Sequence, residues 1–164
     1  MKSSLSFEDG LSALLPRLRR FAHTLSRNPA DADDLTQAAV ERALRSREHW
    51  EPGTHLDSWL YRIMRNLWVD TLRSRGRRED LHAPVEEAES LGDDPRTAIE
   101  ASIDLRTAMN AMQRLPDEQR EIVALILIEG FGYRECSDIL GLPIGTVSSR
   151  LVRGRTALLK MMGE

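Results

Sequence analysis

The amino-acid sequence predicts an all-α protein: two small helical domains joined by a flexible acidic linker. Three observations carry the prediction. Apolar residues recur at spacings of three and four in both halves of the chain, which is the helical period. From Glu79 to Pro95 that period lapses, and two prolines, one glycine and a run of acids take its place. Near the C-terminal end, Gly132 to Lys160 reads as two helices around a tight turn. The expected domains are 1–78 and 97–164, with 79–96 as the linker, within what 164 residues can hold.

The first helix is expected over Leu11, Leu14, Leu15, Leu18, Phe21, Ala22 and Leu25, with Pro16 marking a short first turn before the main helix begins. Asn28-Pro29 reads as a loop. Asp31 or Asp33 then caps a second helix, which buries Leu35, Ala38, Ala39, Ala43 and Leu44. The acids Asp31, Asp33 and Asp34 either complement the helix dipole or form a docking edge for a partner. A loop from His49 to Thr54 leads into a third helix ending near Arg75, with Leu60, Ile63, Met64 and Leu67 inward.

Arg62, Arg65, Asn66 and Arg73 share one exposed sector of that third helix, bordered by Trp59. Between Trp59 and Arg78 six arginines face a single acid, Asp70. Arginines beside aromatic and amide groups suit phosphates and unstacked bases. Taken singly, Trp59, Tyr61 and Trp68 fit a core role better, and the charge bias of the whole face is what favours nucleic acid.

In the second half, a helix from about Arg96 to Gln113 keeps Ile99, Ile103, Leu105, Met109 and Met112 on or near its packed side. Leu115-Pro116 breaks it, and Asp117 starts another, packed through Ile122, Leu125, Ile126 and Ile128. Gly141 supplies the positive φ of the sharp turn that follows, and a last helix starts near Ile144 or Thr146. Val147, Leu151 and Leu158 share one side of it. Ser148, Ser149, Val152 and Arg153 lie opposite, with Thr146 and Arg150 flanking. From Ile144 to Lys160 there is no acid. An apolar stripe backing short polar groups and arginines fits a helix that reads a DNA major groove.

Charge must be divided by segment to be informative. The net −3 resolves into +4 over residues 1–78, −8 over 79–104 and +1 over 105–164. Acidity therefore sits in the linker region, and its flanks are locally basic. No apolar run approaches the ~18–20 residues that cross a bilayer, and no signal-peptide pattern opens the chain. A lone cysteine, Cys136, excludes an internal disulfide. A cytoplasmic location is expected. The four histidines are scattered without metal-ligand spacing and no Gly-rich phosphate loop follows a strand, so neither an enzyme nor a cofactor is expected.

Three segments in order, DADDLTQAAVERAL, LDSWLYRIMRNLWVDTLRSRGRR and LPDEQREIVALILIEGFGYRECSDILGLPIGTVSSRLVRGRTAL, carry a family resemblance. The chain resembles the bacterial extracytoplasmic-function (group IV) sigma factors from Leu11 to Leu159. The resemblance implies core RNA polymerase and promoter DNA as partners. Asp31, Asp33, Asp34, Leu35 and Gln37 would then dock on the β′ clamp helices, with the β flap as a further polymerase contact. The His49–Thr54 loop and Trp59, Arg62, Arg65, Asn66 and Arg73 would take the −10 element. Thr146, Ser148, Ser149, Arg150, Val152, Arg153 and Arg155 would take the −35 element. The family is typically restrained by an anti-sigma factor. The chain departs from the usual pattern at Ser148, commonly Lys or Arg, at Cys136, usually aliphatic, and at Ser137, usually Ala. Two alternatives are a sigma-like decoy that sequesters an anti-sigma factor and a polymerase-independent helix-turn-helix repressor.

Overall fold

The computed structural model describes residues 6–79 and 99–163. Among these every regular element is helical, as expected. The expected linker falls almost wholly outside the described residues. The helices form two compact units, one built from α1 to α3 and the other from α4, α5, α7 and the greater part of α6.

Helix α1 spans Phe7–Ser26, capped by Ser6, whose side chain accepts from the Asp9 N–H at 3.1 Å. Pro16 does not divide it, contrary to the sequence expectation. Pro16 and Ser12, whose carbonyl loses its helical donor there, are both exposed, so that carbonyl is left on the solvent side of the helix. Helix α2 spans Pro29–Arg45. Its cap is Asn28, not Asp31 or Asp33: the Asn28 Oδ1 accepts from the N–H groups of Ala30 (2.9 Å) and Asp31 (3.2 Å), and Pro29 takes the first helical position. Helix α3 spans Leu56–Glu79, longer than expected and absorbing the first residue assigned to the linker.

These three helices enclose a core of Leu18, Phe21, Ala22, Ala39, Ala43, Leu60, Tyr61 and Met64, all essentially inaccessible. The Phe21 and Tyr61 rings lie 4.9 Å apart. Leu44 is exposed rather than buried, while Ala32 and Thr36 are inside. Thr36 is accommodated there because its hydroxyl donates to the Ala32 carbonyl at 2.7 Å.

In the second unit α4 spans Ile99–Arg114 and α5 spans Asp117–Val123. Ala111, Met112 and Leu115 are buried, but Leu105 and Met109 face solvent, against expectation. The side chains of Ile99 and Ile103 lie outside the described set. Arg120 is 2% exposed yet fully engaged, donating to the Leu115 carbonyl (2.9 Å) and to Asp117 (2.6 Å). After Val123 the helix widens into a π-turn, Ala124–Ile128, in which the Glu129 N–H donates to the Ala124 carbonyl at 2.9 Å. The wider turn keeps Ala124 and Leu125 inside and rotates Leu127 and Ile128 outward, so Ile128 does not pack as expected.

Helix α6 spans Tyr133–Leu140 and α7 spans Ile144–Met161. Gly141 holds φ 66°, ψ 36°, the left-handed cap the turn requires. Ser137 reinforces it twice. Its carbonyl accepts from the Leu142 N–H, and its hydroxyl donates to the Leu142 carbonyl.

Candidate functional site

The first candidate surface is built on α3 and the loop before it. Helix α2 ends at Ser46, a single 3-10 turn covers Arg47–His49, and Glu51-Pro52-Gly53-Thr54 makes a tight turn. Gly53 at φ 91° follows proline, the pattern of a type II turn, and the Thr54 N–H closes it onto the Glu51 carbonyl at 3.1 Å. This places His49 beside the first turns of α3. A cleft of about 260 Å³ results, lined by Arg42, Ser46, His49, Trp59, Arg62, Asn66 and Asp70 among others.

Three of the expected residues, Trp59, Arg62 and Asn66, therefore meet in one concavity, whereas Arg65 and Arg73 do not line it. Arg62, Asn66 and Arg73 are exposed; Arg65 and Trp59 are half-buried. Tyr61 and Trp68 belong to the core. Sequence reasoning missed Arg42 and Ser46, which come from the end of α2. The basic last turn of that helix was the available signal.

Chemically the cleft joins two guanidinium groups, an imidazole, an amide, an indole and the Asp70 carboxylate. Guanidinium groups bind phosphate, the amide offers both donor and acceptor to a base edge, and the indole offers a stacking face. A strand with its bases turned out satisfies all three at once.

The second candidate surface is the outer face of α7. Val147 and Leu151 are buried and Leu158 is half-buried, as the wheel requires. Ser149, Val152, Arg153 and Arg155 are exposed, with Val152 at 61%, so an aliphatic side chain stands among arginines. Thr146, Ser148 and Arg150 are half-buried. The Ser149 hydroxyl donates to the Thr146 carbonyl at 3.1 Å, and Arg150 leans toward Glu118 of α5 at 3.8 Å. Gly154, unnoticed in the sequence, is buried where α7 crosses α5. A Cβ there would lie 2.8 Å from a Val123 methyl and 3.2 Å from the Gln119 Cβ. The missing side chain lets the two helices meet closely.

The third surface is the start of α2. Asp33, Asp34 and Gln37 are exposed. Leu35 is in the core at 5% exposure. Asp31 is engaged within the unit, because Arg75 donates to both its carboxylate oxygens, at 2.6 and 2.9 Å. Those bonds hold the Asp31 carboxyl below its usual pKa. Arg75 also sits 5.6 Å from the Trp68 ring.

Cys136 is fully buried, and burial, with the nearby Glu135 carboxylate, pushes its thiol up to about 12. It is a packing residue at neutral pH. Among the described residues no group of His, Cys, Asp and Glu is arranged to hold a metal, and no helix is long and apolar enough to cross a membrane.

Residues 11–78 match the family model for Sigma-70 region 2, and residues 105–158 match that for Sigma-70, region 4. The ECF RNA polymerase sigma factor EcfG of Rhodopseudomonas palustris is 37% identical over 153 residues, covering 93% of this chain and 83% of that protein. The RNA polymerase sigma factor CarQ of Myxococcus xanthus is 33% identical over 163 residues, covering 97% and 90%. Among solved structures, the sigma factor RpoE of Bartonella quintana, in complex with the anti-sigma factor NepR, superposes with a TM-score of 0.84 at 32% identity, covering 95% and 96%. The chain belongs to the extracytoplasmic-function (group IV) sigma factors of the sigma-70 family. It is accordingly a regulatory, non-catalytic subunit that works with core RNA polymerase in promoter recognition.

Proposed function

We propose that residues 1–78 dock on core polymerase and take the −10 element, that 97–164 read the −35 element, and that 79–96 tether the two. The non-template −10 strand lies along α3. Arg62 and Arg42 hold phosphates, Asn66 and His49 meet base edges, and Trp59 offers its indole; Arg65 and Arg73 extend the cationic track beyond the cleft. The −35 duplex meets α7, where Ser148, Ser149 and Val152 approach base edges and Arg153 and Arg155 approach phosphates. Asp33, Asp34 and Gln37 form the exposed docking edge of α2, with Asp31 and Leu35 supporting it from within. By analogy with the RpoE–NepR complex, an anti-sigma factor binds and restrains the chain.

The observation that carries this reading is the cleft joining Arg42, His49, Trp59, Arg62 and Asn66 on an arginine-rich helix. Strand separation then costs a few kcal/mol of unstacking and unpairing, offset by contacts in that cleft, and no covalent bond is made or broken.

Run-off transcription with bacterial core polymerase, on promoters selected from a randomised library, tests it. The double change Arg62→Ala/Arg65→Ala should impair open-complex formation by about tenfold or more and lower the salt dependence of single-strand binding by roughly one unit of slope. Core affinity should hold. Equal collapse of core binding in a folded variant would refute the assignment of that face.

A further inference from the structure

We propose that the first turn of α1, ahead of the segment matching region 2, is the post that positions the reading loop between α2 and α3. The inference rests on the reading that this loop and the α3 cleft take the non-template strand.

Both ends of the loop are fastened to that one turn. At the loop's start, the Phe7 ring lies 5.6 Å from Trp50, and the Arg47 guanidinium stands 5.2 Å from the Phe7 ring. Arg47 is also ion-paired with Glu8. At the loop's end, Phe7 meets Trp59 edge-on at 6.0 Å. At the end of the same turn, Gly10 lets Leu56 approach so closely that a Cβ would lie 2.7 Å from the leucine methyl. Phe7 is 7% exposed although it sits at the very start of the helix, where side chains are usually solvated.

Between these two anchors the loop stands away from α1. A shallow, open groove of about 480 Å³ runs between them, lined by Ser6, Leu14, Trp50, Gly53 and Leu56 among others. Continuous packing therefore does not hold the loop; the aromatic cluster and the Arg47–Glu8 pair do. Trp59 and the 3-10 turn carrying His49 are also walls of the cleft. Moving Phe7 would thus displace two of the groups assigned to the strand without touching the strand itself. Phe7 and Glu8 act through the loop, so they are positioning residues. An ordered loop meets its ligand without the entropic cost of fixing a loose one.

The test uses full-length chain assembled with core polymerase, on the selected promoters, with 2-aminopurine in the non-template −10 strand reporting unstacking. Phe7→Ala should slow unstacking by about tenfold with core affinity unchanged, and Phe7→Tyr, which keeps the ring, should restore it. Glu8→Ala, an exposed change that leaves the core intact, should slow it about threefold and decides the question if Phe7→Ala fails to fold. Parent-like unstacking in folded Phe7→Ala and Glu8→Ala, with Arg62→Ala/Asn66→Ala impaired, overturns this inference alone. Parent-like unstacking in Arg62→Ala/Asn66→Ala overturns the strand reading and this inference with it. A loss in Phe7→Ala matched by loss of core affinity and not restored by tyrosine marks a merely structural role and also overturns it.

Discussion

Helices α3 and α7 both present arginines outward, yet they are held in opposite ways. Helix α3 is fixed by bulk: Tyr61 meets Phe21, Trp68 lies beneath Arg75, and Trp59 abuts Phe7. Helix α7 is fixed by the lack of it, since Gly154 lets α5 approach where any side chain would collide. The α3 face carries a cleft, and one of those rings, Trp59, lines it. A helix drawn in by a glycine instead offers its outer face, with Val152 and two arginines exposed. The first suits a strand with its bases turned out, the second an intact duplex groove.

The contrast breaks most readily where bulk is removed. Phe21→Ala should cost about 3–5 kcal/mol in the first unit, because it leaves a cavity against Tyr61, and chemical denaturation measures it. A loss under 1 kcal/mol would mean that the ring cluster does not hold α3.

Adding bulk should hurt at Gly154. Alanine there gains about 1 kcal/mol of helix propensity but incurs about 1–3 kcal/mol of overpacking against Val123 and Gln119. A net loss near 1 kcal/mol is expected, with weaker binding to −35 duplex as α7 is pushed outward. A gain in stability would show slack in the crossing.

The smallest effect belongs to Asp31→Asn. The native carboxyl has a lowered folded pKa, so its contribution is complete above the unfolded value and disappears as pH falls through the lower folded one. Asparagine should flatten that acid-side loss of stability, measured by thermal unfolding below about pH 5. At neutral pH the change should stay below about 1 kcal/mol, since the pair is solvent-screened. An unchanged acid profile would detach Arg75 from Asp31.

The sequence was most legible where signals are local. Gly141 before Leu142-Pro143 located the turn, and the period of Val147 and Leu151 oriented α7 correctly. Arg62, Asn66 and Trp59 were placed together because one helix carries them. Errors arose where a local signal has two outcomes. Pro16 sits inside α1 at an exposed position, where the carbonyl it leaves without a donor is open to solvent, and Asn28-Pro29 is as much a helix start as a loop. The outward turn of Leu127 and Ile128 follows from a π-turn that 3.6-residue counting cannot anticipate. The place of Arg42 in the cleft and the Phe7 cluster were missed for another reason. Their partners lie on other elements, and only tertiary packing brings them together.

Cys136 also makes the chain its own stopwatch. The lone thiol lies in the helix-turn-helix core and is almost entirely protonated at neutral pH, so an alkylating reagent can reach it only when that core opens. Pulse-labelling at this one atom, with no engineered probe, would time the breathing of the second unit, and would register whether added duplex DNA slows it.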